Sequence, residues 1–171
     1  MQTLDLQLGQ LQSVLEELVR LHERLVPVLE EKREALKKMN RTDLAYILVH
    51  EEAIAASIAV VDGRRSDIVR SICGFLGLDV KKGPIKLGDL IPKIAQEAIA
   101  RELTSLRARL KELLDSVRRL SETIRALTEQ SLSHVRFFLR ILTGAEDNSP
   151  TYDRRARERQ SHGYSVLDRK A

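Results

Sequence analysis

Catalysis in this chain would have to come from four histidines, one cysteine and the carboxylates, and their spacing excludes most of it. His22, His50, His134 and His162 stand far apart and form no His-x-x-x-His or Cys/His ligand pattern. His50-Glu51-Glu52 opens like a zinc-protease motif, in which a second histidine one turn later shares the metal. Position 54 is Ile54, so that ligand is missing. The Glu-x-x-His pairs of di-iron bundles are absent as well. Gly74, Gly77, Gly83 and Gly88 lack the spacing and the Lys-Ser/Thr ending of a phosphate-binding loop. Cys73, between Ile72 and Gly74, reads as a small buried hydrophobe. A single thiol allows no disulfide framework within one chain and fits a reducing compartment. The expectation is a protein that is not an enzyme and needs no metal or cofactor.

The strongest pattern in the chain is structural. From Ile99 the series Leu103, Leu106, Leu110, Leu113, Val117, Leu120, Ile124 and Leu127 repeats at alternating steps of four and three. Ser131 and His134 interrupt it, and Phe138 and Ile141 resume it. A mean step of 3.5 residues keeps one stripe of a helix against a partner over many turns. A continuous helix over this stretch would be roughly 65 Å long.

Two more helices precede it. The first is expected from about Gln2 to Met39, with the seam Leu4, Leu8, Leu11, Leu15, Leu18, His22, Leu25, Leu29, Lys32 and Leu36. Val14, Leu21 and Val28 widen that stripe, so this helix should touch two neighbours. Pro27 inside it predicts a kink near Glu23 to Pro27, with a break into two helices as the lesser alternative. Asn40-Arg41-Thr42-Asp43 is a turn, with Thr42 as the expected N-cap of a second helix running to about Leu76. Glu51 and Arg65 interrupt the second seam, and each is expected to meet a charge on a neighbouring helix or to fix register. A glycine-rich loop leads to a short helix from Asp89 to about Gln96, then to the long one, which Gly144 should stop.

Composition agrees with an all-α chain. The sequence is 43% hydrophobic, 4% aromatic, without tryptophan, and 32% charged, as bundles of Leu, Ile, Val and Ala with exposed polar faces are. Residues 1–36 carry seven acidic and four basic groups, and residues 101–142 carry five acidic and nine basic, so the first and last helices should pair. No stretch approaches about 18 uncharged apolar residues, and no signal peptide is visible. The expected fold is an elongated antiparallel three-helix bundle or coiled coil with a short extra helix. Residues 1–144 form the bundle and residues 145–171 a flexible C-terminal tail; the protein should be soluble and cytoplasmic, with no stable membrane insertion.

Two regions offer binding surface. Beyond the seam break, Leu132, Val135, Phe137, Phe138, Leu139, Ile141 and Leu142 crowd the end of the long helix. This is more apolar surface than one bundle partner needs, so it is either a second face for another chain or a wider local core under residues 74–96. The tail holds six basic and five acidic groups, too little excess for phosphate binding, so no nucleic-acid partner is expected.

The order of these features resembles the FlgN family of flagellar type III export chaperones. The resemblance rests on Glu30-Glu31-Lys32-Arg33-Glu34-Ala35-Leu36 closing the first helix, then Asp43-Leu44, Glu51-Glu52, Arg64-Arg65 and Gly77-Leu78. It continues through Leu87-Gly88-Asp89-Leu90-Ile91, the tail opening Thr151-Tyr152-Asp153-Arg154-Arg155, and Leu167-Asp168. The resemblance implies a cytoplasmic chaperone that binds hook-filament junction (hook-associated) proteins, prevents their premature association and delivers them to the export gate. Export-gate or export-ATPase components are further expected partners. It also implies client binding toward the C-terminus. With the apolar excess there, this predicts a docking stripe of Leu132, Val135, Phe138, Leu139 and Leu142, with Tyr152, Tyr164 and Leu167 as tail anchors. The alternative reading is a self-assembling coiled-coil scaffold or adaptor.

Overall fold

A computed structural model describes residues 2–78 and 86–143. The expected tail, its anchors Tyr152, Tyr164 and Leu167, the stop at Gly144 and the boundary between residues 144 and 145 lie outside the described residues. The chain divides into two compact units, residues 1–125 and residues 126–171.

All the described elements are helical. They are α1 (Gln2–Lys37), α2 (Arg41–Phe75), the four-residue α3 (Leu87–Leu90) with a single 3-10 turn (Ile91–Lys93), and α4 (Glu97–Thr143). α1 continues through Pro27 as one helix, so the alternative of two helices is not realised. The short helix begins at Leu87, two residues before the expected Asp89, and Pro92 falls within the first residues of the 3-10 turn.

Four side-chain contacts set the direction of the first unit's helices. Glu17 of α1 meets Arg64 of α2 at 3.1 Å and Lys32 meets Glu51 at 2.6 Å, so α1 and α2 run antiparallel. Glu23 meets Arg109 at 2.9 Å and Asp5 accepts a hydrogen bond from Gln96, so α4 runs parallel to α1. The first and last helices therefore do pair across opposite charge. Glu23 stabilises the charged form of Arg109 and raises its pKa. Glu51 meets the neighbouring helix as expected, whereas Arg65 does not. Arg65 pairs with Asp62 of its own helix at 2.7 Å.

The core follows the seams. Leu8, Leu11, Leu15, Leu18 and Leu21 of α1 pack with Val61, Val69, Ile72 and Cys73 of α2, with Leu90 of α3, and with Leu103 of α4. A second cluster joins Leu25, Val28, Leu29 and Ala35 to Ile47, Ile54 and Ile124. Val14, Leu21 and Val28 are all buried, as the wide α1 stripe requires. His22 is 6% exposed and donates from Nδ1 to the Leu18 carbonyl at 2.7 Å, which satisfies a polar group in an otherwise apolar seam. Phe75, the last residue of α2, is exposed.

The turns explain the hairpin. Gly77 takes φ +65°, its N–H reaches the Gly74 carbonyl and the Leu78 N–H reaches that of Cys73. This is the Schellman arrangement, which favours glycine. α1 ends in the same way, with Met39 N–H to Leu36 and Asn40 N–H to Ala35, but the left-handed residue is Met39 at φ 53°. Asn40, not Thr42, then caps α2: its side-chain oxygen accepts from Asp43 N–H at 3.2 Å and its amide donates to the Asp43 carboxylate at 2.6 Å. One three-residue turn, Lys38–Asn40, thus ends one helix and begins the next.

These features set four expected outcomes. Leu103→Ala should lower stability by about 2–5 kcal/mol, the usual result of hollowing a fully buried leucine site, and an unchanged melting midpoint would place α4 off the core. Met39→Gly should raise the midpoint by a few degrees, because a non-glycine residue in the left-handed region costs about 1–2 kcal/mol; Asn40→Ala should lower it through loss of a cap worth about 1 kcal/mol. Burial also pushes the Cys73 thiol upward. It should therefore react with an aromatic disulfide reagent only as the chain unfolds, and labelling at full rate in native buffer would contradict its place in the core.

Candidate functional site

Residues 126–143 continue α4 as helix, but their side chains are placed differently from those of the first unit. In residues 97–125, Leu103, Leu113 and Ile124 are buried, and Ile99, Leu106, Leu110, Val117 and Leu120 are partly buried against the two clusters. From Leu132 onward every described residue is exposed. Leu132 is 46% exposed, Val135 48%, Phe138 62%, Leu139 53% and Leu142 78%. Among the described residues, the apolar excess of this segment is therefore exposed.

Helical spacing collects these residues. Steps of three and four carry Leu132 to Val135, Val135 to Phe138 and Leu139, and both of these to Leu142. Ser131 lies on the same arc and is half-buried. Ile141, 60% exposed, widens the stripe at its edge, and Phe137, 53% exposed, lies off it among polar positions. The Phe137 and Phe138 rings meet edge to face, 6.0 Å apart between centroids, which restrains both rings without covering them. The expected stripe omitted Ile141 and Phe137, although both are as exposed as its members. The 4-3 seam counts Ile141 as core-facing, and a seam cannot show where the partner helices end.

Arg136 and Arg140 lie beside Leu139 along one edge of the stripe, and Thr143 closes the last turn by donating its hydroxyl to the Leu139 carbonyl at 2.8 Å. Such a surface can bury apolar groups of another chain beside one basic edge. Among the described residues no three His, Cys, Asp or Glu side chains gather where a metal ion could bind.

α2 is the most apolar of the long helices. By length and composition one 18-residue stretch of it could cross a membrane, and only 17% of that stretch is buried. The Glu51-Glu52 pair interrupts the apolar run in sequence, but the remaining residues are apolar enough to pass. α2 nonetheless places Ile47, Ile54, Val61 and Ile72 in the core of the first unit.

No curated protein and no solved structure matches the chain. A family model described as FlgN protein matches residues 1–160, which takes in the helices and much of the following segment. The chain belongs to the FlgN family, and so to a family of flagellar export chaperones.

Proposed function

We propose that this chain binds hook-associated junction proteins in the cytoplasm, keeps their helical terminal regions from associating early, and delivers them to the export gate. Export-gate or export-ATPase components then meet the loaded chaperone. The observation that carries this reading is the exposure of Leu132, Val135, Phe138, Leu139 and Leu142 on one helical arc, in a chain of the FlgN family.

The recognition is helix in groove. An amphipathic helix of the client offers apolar residues at steps of three and four, and these complete the arc on residues 132–142. Each large side chain buried this way contributes about 1.5–3 kcal/mol, and a few anchors dominate such interfaces. Phe138 and Leu142, the most exposed of the five, have the most area to bury. Client and chaperone part without covalent chemistry, which suits cargo that must be released. Tyr152, Tyr164 and Leu167 belong to the same proposal as tail anchors. The helical residues 1–144 then carry the stripe, and residues 145–171 serve as the tail.

Exposure makes the test clean. Phe138→Ala and Leu142→Ala remove side chains that no core depends on, so the melting midpoint should stay within a degree or two of the parent. Affinity for a terminal helical fragment of a junction protein, measured by calorimetry, should fall tenfold or more for at least one of them, equal to about 1.4 kcal/mol. Parent-like affinity in every such variant, or full affinity in a chain cut after residue 130, would rule the stripe out as the docking site.

A further inference from the structure

α2 has two apolar faces, and the first unit buries one of them. Ile47, Ile54, Val61, Val69 and Ile72 point into the core. About half a turn away lie Tyr46, Val49, Ala53, Ala56, Val60 and Gly63, every one exposed. Tyr46 is 77% exposed, Val49 70% and Val60 65%. Their steps of three, four, three, four and three form a second heptad seam without a charged member. The outer face of a surface helix ordinarily carries polar residues. This one has the register of a helix that packs on another helix.

We propose that this face pairs with a second copy of itself, α2 against α2 in antiparallel orientation, with the two-fold axis between Ala53 and Ala56. Side-chain size supports this occupant. About that midpoint Ala53 faces Ala56 of the second copy, Val49 faces Val60, and Tyr46 faces Gly63. A Cβ built at Gly63 meets nothing within 4 Å, so the position is an open notch. The tyrosine ring of the other copy fits there. Small residues thus meet at the centre, medium ones next, and the largest lies over the one without a side chain. A parallel pair would crowd two tyrosines at one end and leave two glycines at the other.

Charge agrees with this orientation. Residues 41–54 carry one basic and three acidic groups, and residues 55–75 carry three basic and two acidic. Antiparallel pairing lays the acidic half of each α2 over the basic half of the other. Residues 42–67 span about 38 Å of helix with a width of about 10 Å. Such a strip projects about 380 Å², about half of the roughly 800 Å² per partner of a standard interface, which fits a weak dimer that forms only in the micromolar range. The face lies wholly within the first unit and shares no residue with the proposed client stripe.

The test is the association state of the full chain by sedimentation equilibrium, with two kinds of variant. The parent should dimerise as its concentration rises through the micromolar range. Gly63→Leu should weaken the dimer at least tenfold by filling the notch. The fold itself should not suffer, because leucine is the better helix former and the site is open. For orientation, Tyr46→Cys and Gly63→Cys chains mixed and oxidised should give the mixed disulfide dimer, and neither should cross-link alone. The parent, whose only thiol is the buried Cys73, serves as the blank. A monomer at every concentration, a dimer indifferent to Gly63→Leu, or same-variant disulfides in place of mixed ones would overturn the proposal. So would a monomer that floats with phospholipid vesicles, which would assign the face to a membrane surface.

Discussion

The leucine stripe of α1 is too wide for one neighbour, and that constraint organises the first unit. Leu8, Leu11, Leu15 and Leu18 are buried only because α2 and α4 both lie against α1. The Lys38–Asn40 turn brings α2 back antiparallel. The glycine-ended stop at Gly77 and the short α3 then let the chain return, so that α4 lies parallel to α1. Leu90 of α3 is fully buried between these elements, which makes the connection part of the core. Polar contacts such as Lys32–Glu51 and Glu23–Arg109 fix register at the rim. Partly exposed pairs of this kind contribute only about 0–1 kcal/mol each, so the leucines supply most of the stability.

What the core leaves uncovered is as informative as what it buries. Apolar surface kept in water forgoes about 25 cal/mol per Å². A sequence that retains Phe138, Leu142, Val49 and Val60 on exposed helix faces is holding that free energy in reserve for association. The two surfaces differ in kind. The end of α4 is rich in large flexible groups and is broad, which suits binding to a helix of another protein. The outer face of α2 is narrow and graded in size, which suits one close-packed partner of the same sequence. A chaperone that must release its cargo fits the first kind of surface.

Most of the architecture was legible in the sequence because heptad spacing is a direct consequence of helix geometry. The seams of α1 and of the first half of α4 and the wide stripe at Val14 and Leu21 all follow from it. Local competition was harder to read. Thr42 and Asn40 are both good caps, and Met39 decided between them by taking the left-handed turn usually reserved for glycine. Arg65 reached Asp62 three residues away before any neighbouring helix. The client stripe was half legible: composition marked the apolar excess, but periodicity alone could not distinguish a buried continuation of the seam from an exposed one. The outer seam of α2 was hidden for the opposite reason, because the larger Ile and Val of its core face mask a second repeat whose centre is only alanine.

The claim that residues 132–142 are the working surface is tested most directly by hydrogen exchange with mass spectrometry, on the full chain with and without a junction-protein terminal helix. The account predicts strong new protection in residues 126–143 on binding, with the α1 and α2 core peptides, already protected, changing little. New protection confined to α1 and α2, with residues 126–143 exchanging as in the free chain, would contradict it.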